Sequence, residues 1–268
     1  MHRFFVAPEL LRQTDDSISL PKDLAHQVRD VLHLQPGEQL ILLDNSGDEV
    51  VATIVVTSKT GVDVRLLERR AGKSESNVRI LLCQGLLKSA RFEWVLEKGT
   101  EMGVAVFSPI LCRRSMAGLE DAGASKIQRW QRIIQEAAEQ SGRARLPELW
   151  PIRPLMHALN DIPAGAIALM PWEEERAITL RDALQFTVGA GVVPGREGTL
   201  ASPALVKSPA SSIITVVLFI GPEGGLMAEE VELAQRYGVQ AVTLGPRILR
   251  AETAALAAVA NVMYELER

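Results

Sequence analysis

Near the C-terminus stand VVLFIGPEGGL, residues 216–226, and VTLGPRILRAET, residues 242–253. In each segment an apolar, β-branched run ends in a Gly-Pro turn, and a helical pattern follows. This repeated order of strand, turn and helix predicts two loops at the same edge of a parallel sheet, where open α/β sheets bind ligands. Glycine in these loops lets the backbone approach a ligand more closely than a side chain would permit. We therefore expect a ligand site formed by both loops.

The rest of the chain shows two different patterns. Up to about residue 72, short apolar strands alternate with turn signals such as Pro36-Gly37, which is typical of a small β-barrel. From Val78 onward, strands alternate with helices, which predicts a mostly parallel sheet covered on both faces. The predicted class is therefore α/β, with a barrel domain at 1–72 and an α/β domain at 73–268.

Helix signals refine this interpretation. Helices are predicted over 21–32, 89–102, 125–140, 228–237 and 252–266. Ser89 is the predicted N-cap of the second, and Ser125 with Gln128 reads as a capping box for the third. Residues 187–212 are rich in Gly, Pro, Ser and Ala, and they interrupt the alternation, so we expect a mobile surface insertion there.

Composition excludes several classes of protein. The 47% apolar share of 268 residues supports a packed core, and no apolar run approaches the length of a membrane span. The N-terminal residues lack the pattern of a signal peptide. Only two cysteines and four scattered histidines are present, so we expect a cytoplasmic protein without a disulfide or a metal site. Neither a phosphate-binding Walker loop nor a Gly-x-Ser-x-Gly nucleophile elbow occurs.

Charge is distributed unevenly along the chain. The net charge is −4, yet residues 79–147 carry eleven Lys and Arg against seven Asp and Glu. A basic middle between acidic flanks fits a local anionic partner such as nucleic acid. An ordinary solvated helix surface explains the same modest excess, so this pattern alone leaves both interpretations open.

The two loops and several upstream motifs together resemble one known family. Those motifs are Leu87-Lys88, EKGTEMGV at residues 97–104, Arg113-Arg114-Ser115 and EAAEQSGR at residues 136–143. In this order, and over most of the chain, they resemble the RsmE-like family of SPOUT methyltransferases, which methylate N3 of a uridine in small-subunit (16S) ribosomal RNA. The chain departs from that pattern at Met227, where relatives commonly have Ser or Thr, and at the insertion 187–212.

The resemblance implies a fold, a cofactor and partners. It implies a PUA-like N-terminal barrel that binds RNA, and an α/β domain with a C-terminal trefoil knot. It further implies S-adenosyl-L-methionine as methyl donor, ribosomal RNA or the small ribosomal subunit as substrate, and a homodimer built on the knot helices. The cofactor-binding residues implied are Leu169, Met170, Pro171, Gly221, Pro222, Gly224, Gly225, Leu244, Gly245, Ile248 and Leu249.

Charged residues near these loops are candidates for chemistry and RNA binding. Arg250 is the candidate for stabilising negative charge on the uracil, and Glu223 for orienting the base or accepting its proton. Glu223 could instead cap the following helix, and Glu252 could simply complement the dipole of the last helix. The candidates for RNA contact are Lys88, Arg113, Arg114, Arg143 and Arg247.

Two other functions remain compatible with the sequence. One is a SPOUT methyltransferase with a different RNA target, such as a ribose 2′-hydroxyl. The other is a ribosome-assembly protein that binds RNA without catalysis, although a pure RNA binder would have no need for two open glycine loops.

Overall fold

The computed structural model describes residues 1–12, 17–115, 118, 123–190 and 213–267. Two compact units are present. The first comprises Met1–Glu75 together with Gln135–Leu146, and the second comprises Ser76–Ile134 and Pro147–Arg268. The first unit therefore includes a segment from the middle of the chain. The predicted domains, 1–72 and 73–268, assign that segment to the second domain.

A five-stranded sheet forms the first unit. Its strands are β1 (His2–Phe5), β2 (Ser17–Ser19), β3 (Gln39–Leu43), β4 (Asp48–Thr57) and β5 (Val62–Ala71), in the order β1-β3-β4-β5-β2. β1 pairs with β3 in parallel, and the other pairs are antiparallel. A 3₁₀ turn covers Pro8–Arg12, and helix α1 (Lys22–His26) continues into a π-helical turn over Gln27–Val31. Alternation along β3 sends Leu40 and Leu42 into the main core of this unit.

A parallel sheet forms the second unit. Its strands are β6 (Val78–Gly85), β7 (Val104–Leu111), β8 (Glu148–Leu149), β9 (Arg153–Pro154), β10 (Ile167–Pro171), β11 (Ile214–Ile220) and β12 (Gln240–Val242). The order is β12-β10-β11-β6-β7-β8, with β9 also on β7. Every pairing in this sheet is parallel, as the alternation of strands and helices predicted.

Helices cover both faces of the parallel sheet. They are α2 (Ser89–Glu101), α3 (Ala124–Ser141), α4 (Leu155–Asn160), α5 (Leu180–Ala190), α6 (Ala228–Arg236) and α7 (Ala251–Leu266). Residues of α2, α3, α5 and α7 form one core with Ile80 and Leu82 of β6. Residues of α4 and α6 form another with Leu81 and Cys83 of the same strand. Adjacent residues of β6 thus point to opposite faces, and both faces are buried.

Helix starts differ from those predicted. Ser89 is the first residue of α2, and Lys88 occupies the N-cap position without a side-chain hydrogen bond. Helix α3 begins at Ala124, so Ser125 lies inside the helix and its capping box is wrong. Residues 187–190 are the last residues of helix α5, whereas the sequence predicts that they begin the surface insertion. The remainder of that predicted insertion, residues 191–212, lies outside the described residues.

Membrane-spanning helices and metal-binding clusters are both absent from the described part of the chain. None of its helices is long and apolar enough to cross a membrane. Among the same residues, no group of His, Cys, Asp and Glu side chains is arranged to hold a metal ion. Cys83 and Cys112 are both buried free thiols, and burial raises the pKa of each to about 12.

Candidate functional site

Three loops meet at the carboxyl ends of neighbouring strands. β12, β10 and β11 are adjacent in the sheet, so the segments that follow them emerge side by side. We call them the β10 loop (residues 172–179), the β11 loop (residues 221–227) and the β12 loop (residues 243–250). Together they enclose a cavity of about 220 Å³. The two glycine loops predicted from the sequence therefore meet a third loop, which follows residues 169–171 that the family resemblance had also pointed to.

Most of the predicted cofactor residues line this cavity. They are Pro171, Gly221, Pro222, Gly224, Gly225, Leu244, Gly245, Ile248 and Leu249. Leu169 and Met170 instead lie buried within strand β10 and are not among the lining residues. The β10 loop adds Trp172, Glu173 and Arg176, which the sequence did not single out. Whether any of these residues binds a cofactor stays a prediction.

Two glycines give the loops their shape. Gly245 has φ +113°, and a Cβ there would meet nothing within 4 Å, so the backbone faces open space. Gly225 has φ +74°, and its Cβ would lie 2.5 Å from Oε1 of Glu173. Residues with a Cβ rarely adopt these conformations, so glycine is required for the loop path itself.

Within the described part of the chain, the indole N–H of Trp172 beside the cavity lacks a hydrogen-bond partner. The indole nitrogen Nε1 of Trp172 is buried and forms no hydrogen bond with the described residues. A buried N–H without an acceptor is costly, and Trp172 lines the cavity. The β10 loop itself is well held, because the backbone N–H of Trp172 donates to the carbonyl of Val242 at 3.0 Å.

Arg91 connects three elements beside the cavity. Its Nη1 donates to Oε1 of Glu223 at 2.6 Å, and its Nε lies 3.6 Å from Oε1 of Glu252. Arg91 belongs to α2, Glu223 to the β11 loop and Glu252 to the first turn of α7. The second oxygen of Glu252, Oε2, is buried without a hydrogen-bond partner among the described residues. Sequence reasoning missed Arg91, because nothing local marks a side chain whose partners are more than 130 residues away.

Glu223 does not cap helix α6. The N-cap of that helix is Met227, and its backbone N–H donates to Oε2 of Glu230 at 2.9 Å. Glu230 occupies the third helical position, from which a glutamate can reach back to the N-cap. This answers the alternative that the sequence left open for Glu223. The pattern Met227-x-x-Glu230 was the signal that could have identified the true cap.

The predicted basic residues fall in two groups. Lys88, Arg113, Arg114, Arg247 and Arg250 are exposed in the second unit, and Arg247 and Arg250 line the cavity. Arg250 is the N-cap residue of α7, and its side chain forms no ion pair within the described residues. Arg143, by contrast, lies in the first unit, is only 6% exposed, and pairs with Glu75 at 2.9 Å. Its burial argues against the predicted contact with phosphate.

Comparison with known proteins identifies the family. A family model described as an RNA methyltransferase domain matches residues 74–263. The ribosomal RNA small subunit methyltransferase E of Synechocystis is 31% identical over 268 residues, which cover 99% of this chain and 78% of the relative. The chain belongs to the ribosomal RNA small subunit methyltransferase E family. The family resemblance noted in the sequence is thereby confirmed.

Other methyltransferase E proteins match over the whole chain. The Bacillus subtilis protein is 29% identical over 272 residues, covering 100% of this chain and 98% of the relative. A crystal structure of the methyltransferase E of Neisseria gonorrhoeae, bound to S-adenosyl methionine, superposes with a TM-score of 0.81 at 29% identity. It covers 100% of this chain and 98% of that one. A Legionella pneumophila structure with bound SAM, a putative methyltransferase, has a TM-score of 0.78 at 29% identity, covering 98% of this chain and 96% of that one.

Proposed function

We propose that this chain transfers a methyl group from S-adenosyl-L-methionine to N3 of a uridine in 16S ribosomal RNA. The observation that carries the proposal is the cavity formed by the three loops, in a chain that shares its whole length with methyltransferase E proteins. The solved relative with bound S-adenosyl methionine extends over all of this chain, so the same cofactor is expected here.

The residues of the cavity fit this cofactor. Adenosine requires directional hydrogen bonds, and the glycine-rich loops expose backbone N–H and C=O groups that side chains would otherwise cover. The open space at Gly245 and the unpartnered N–H of Trp172 both suit a bound group with polar atoms. We assign the cofactor to the residues of the β11 and β12 loops that line the cavity, with Pro171 and Trp172 beside them.

The bound cofactor would supply a methyl group on a sulfonium, and the protein must manage the charge of the uracil. The N3–H of uracil loses its proton only well above neutral pH, so the enzyme must favour the anion. Arg250 is exposed at the cavity and forms no ion pair with the described residues, so its guanidinium can stabilise negative charge on the uracil oxygens. Alignment of the methyl carbon with N3 provides further acceleration.

Glu223 suits an orienting role better than that of a proton acceptor. Oε1 of its carboxylate already accepts a hydrogen bond from Nη1 of Arg91 at 2.6 Å, so that oxygen is occupied before any substrate binds. Through this ion pair Glu223 keeps a defined position at the wall of the cavity. We therefore propose that Glu223 orients the base, while the group that removes the N3 proton is supplied elsewhere.

The exposed basic residues are proposed to bind the RNA backbone. Lys88, Arg113, Arg114 and Arg247 lie in the second unit with their side chains at the surface. Contacts of this type with phosphate position the nucleic acid without reading its sequence. A ribosomal RNA substrate in the cytoplasm follows from the same assignment.

Three architectural features belong to this proposal. We propose that residues 1–72 form a PUA-like barrel that helps to hold RNA, and that residues 73–268 form a SPOUT domain with a C-terminal trefoil knot. We also propose a homodimer through α7, on which the aromatic residue Tyr264 is 82% exposed. Exposed aromatic rings of this kind are common where protein surfaces associate.

The central experiment is a methylation assay with nucleoside analysis. Purified protein, S-adenosyl-L-methionine and either 16S ribosomal RNA or small subunits are incubated, and modified nucleosides are measured by mass spectrometry. We expect 3-methyluridine. A gain in 2′-O-methyl nucleosides alone would assign a different target, and a lack of saturable cofactor binding in calorimetry would favour a non-catalytic RNA-binding protein.

Arg250→Ala tests the proposed catalytic arginine. We expect kcat to fall about 100-fold, the usual loss for one group that stabilises developing charge, with little change in melting temperature. Arg236→Ala is the matched control, because Arg236 is an exposed arginine on α6 away from the cavity lining. Wild-type turnover by Arg250→Ala would remove Arg250 from the reaction.

A further inference from the structure

The carboxylate of Glu230 joins two segments that are distant in sequence. Its Oε2 accepts the N–H of Met227, the N-cap of α6, at 2.9 Å. Its Oε1 accepts the backbone N–H of Arg113 at 2.9 Å, across 117 positions of sequence. Glu230 is only 6% exposed. Capping α6 uses one oxygen, so the second oxygen serves the segment that contains Arg113.

That segment is a tight turn after strand β7. We call residues 112–115 the basic turn. The N–H of Cys112 donates to Oγ of Ser115 at 2.9 Å, and the N–H of Ser115 donates to the carbonyl of Cys112 at 3.0 Å. These two hydrogen bonds close the turn, and Arg113 and Arg114 at its centre are both exposed.

The basic turn also contacts the β11 loop directly. Nη1 of Arg114 donates to the carbonyl of Gly224 at 3.1 Å. A Cβ at Gly224 would lie 2.9 Å from Cβ of Arg114 and 3.1 Å from its carbonyl oxygen. The two segments therefore pack backbone against backbone, and any side chain at Gly224 would separate them. Gly224 itself lines the cavity, so one face of this contact belongs to the cofactor site.

We propose that Glu230 is a positioning residue that fixes the basic turn to the β11 loop, so that RNA bound at the turn and cofactor bound in the cavity strengthen each other's binding. The inference rests on the proposed function, since it takes Arg113 and Arg114 as RNA contacts and the cavity as the cofactor site. Glu230 itself is not among the residues that line the cavity.

The proposed coupling has a physical basis in conformational entropy, because the basic turn and the β11 loop lose conformational freedom together when either ligand binds. Charge-assisted hydrogen bonds that one buried carboxylate accepts hold both segments together. When one ligand immobilises its segment, the other segment is ordered as well, and the second ligand has less conformational freedom to remove. Such coupling is reciprocal, so RNA must raise cofactor affinity by the same factor as cofactor raises RNA affinity.

The test measures this coupling with a cofactor that cannot react. The dissociation constant of S-adenosylhomocysteine is measured by calorimetry, with and without saturating 16S ribosomal RNA. For the wild-type protein we expect binding at least about 5-fold tighter with RNA present. In Glu230→Gln, where an amide group replaces one acceptor oxygen, the ratio is expected to fall below about 2-fold. Glu229→Gln, an exposed glutamate in the same helical turn, should keep the wild-type ratio.

A purely structural cap gives a different result. It would lower the melting temperature of Glu230→Gln and leave the ratio unchanged, which would overturn the proposal. A wild-type ratio near one would overturn it as well. Should Glu230→Gln fail to fold, Ser115→Ala carries the test, because it loosens the basic turn and leaves the cap of α6 intact. We expect Ser115→Ala to reduce the ratio, and an unchanged ratio would contradict the proposal.

The same measurements separate this inference from the proposed function. Formation of 3-methyluridine by the wild-type protein tests the function alone. Methylation with a coupling ratio that Glu230→Gln and Ser115→Ala leave unchanged would refute the positioning role and retain the function. Coupled binding without methylation would refute the function and retain the link between the two segments. Absence of binding by both probes would contradict both.

Discussion

Several side chains near the cavity form ion pairs or hydrogen bonds that connect separate segments of the chain. Arg91 joins α2 to two carboxylates, and Glu230 joins two backbone segments. Neither residue was a candidate from the sequence, whereas Arg250 and Arg247, which the sequence did single out, stand exposed at the cavity. Arg247 and Arg250 belong to a sequence motif and could be singled out from it. Arg91 and Glu230 could be identified only after the structure showed which residues they contact.

Arg91 provides a prediction at this scale. Arg91→Ala leaves Glu223 and Glu252 close to the same cavity without their shared cation, so we expect weaker cofactor binding and a lower melting temperature. In a double-mutant cycle with Glu223→Ala, we expect a coupling of roughly 0.5 kcal/mol, because the pair is partly exposed to solvent. Lys98→Ala, which removes another cation of the same helix, serves as control. Additive effects of Arg91→Ala and Glu223→Ala would contradict the ion pair.

At the scale of elements, the N-terminus of α6 shows how a second residue compensates for an N-cap residue without a side-chain acceptor. Met227 stands where Ser or Thr was expected, and its side chain offers no oxygen for the free N–H groups of the first turn. Glu230 supplies the acceptor from the third helical position. The departure from the family motif therefore leaves the helix capped and the β11 loop in place.

The β12 loop provides a prediction at the scale of elements. Gly245→Ala places a Cβ at φ +113° without a steric clash, so its cost is backbone strain of about 1–3 kcal/mol. Gly37→Ala is a matched control, because Gly37 has φ +94° and equally open space in the first unit. Both variants should lose similar stability in thermal unfolding. Only Gly245→Ala should weaken cofactor binding, and equal affinities in calorimetry would argue against a cofactor at this loop.

At the scale of the whole molecule, each of the two units is built from two separate segments of the chain. Residues Gln135–Leu146 belong with the N-terminal strands, where Glu75 accepts the N–H groups of Ala144 and Arg145 at 3.0 Å each. Glu139 likewise accepts the N–H of Phe5 at 3.0 Å. The family motif at residues 136–143, which contains the candidate RNA contact Arg143, therefore helps to build the first unit.

Glu139 gives that unit a pH dependence. Burial raises the pKa of its carboxyl group above the ordinary 4.5, so the folded state prefers the protonated form. The stability that this protonated form contributes is fully present below the unfolded pKa and is lost as pH rises through the folded pKa. Glu139→Gln keeps an acceptor for Phe5 and cannot ionise.

We therefore expect Glu139→Gln to lose less stability than the wild-type protein when pH rises from 4 to 7. Thermal unfolding at several pH values measures the difference, and Glu68→Gln, at an exposed glutamate of the same unit, is the control. Parallel pH profiles for Glu139→Gln and wild type would contradict the raised pKa.

The proposed homodimer also belongs to this scale. Tyr264 on α7 is 82% exposed, so an aspartate there should cost little in the monomer and should disrupt an apolar interface. We expect Tyr264→Asp to shift the mass measured by light scattering from dimer to monomer. Met156→Asp, at an exposed apolar residue of α4, should leave the mass unchanged. A monomeric wild-type protein would refute the dimer.

Local signals were enough to predict the parallel α/β layer, the strand–turn–helix units at β11 and β12, and the family, because apolar periodicity, Gly-Pro turns and motifs can be recognised along the chain. The family resemblance also pointed to residues 169–171, but the tertiary structure was needed to place β10 between β11 and β12 and its loop beside the other two. The tertiary structure likewise decided that Arg143 is buried, that Arg91 binds Glu223, and that Glu230 bridges two segments. These facts depend on contacts between residues far apart along the chain, and no local pattern encodes which distant partner a charged side chain will meet.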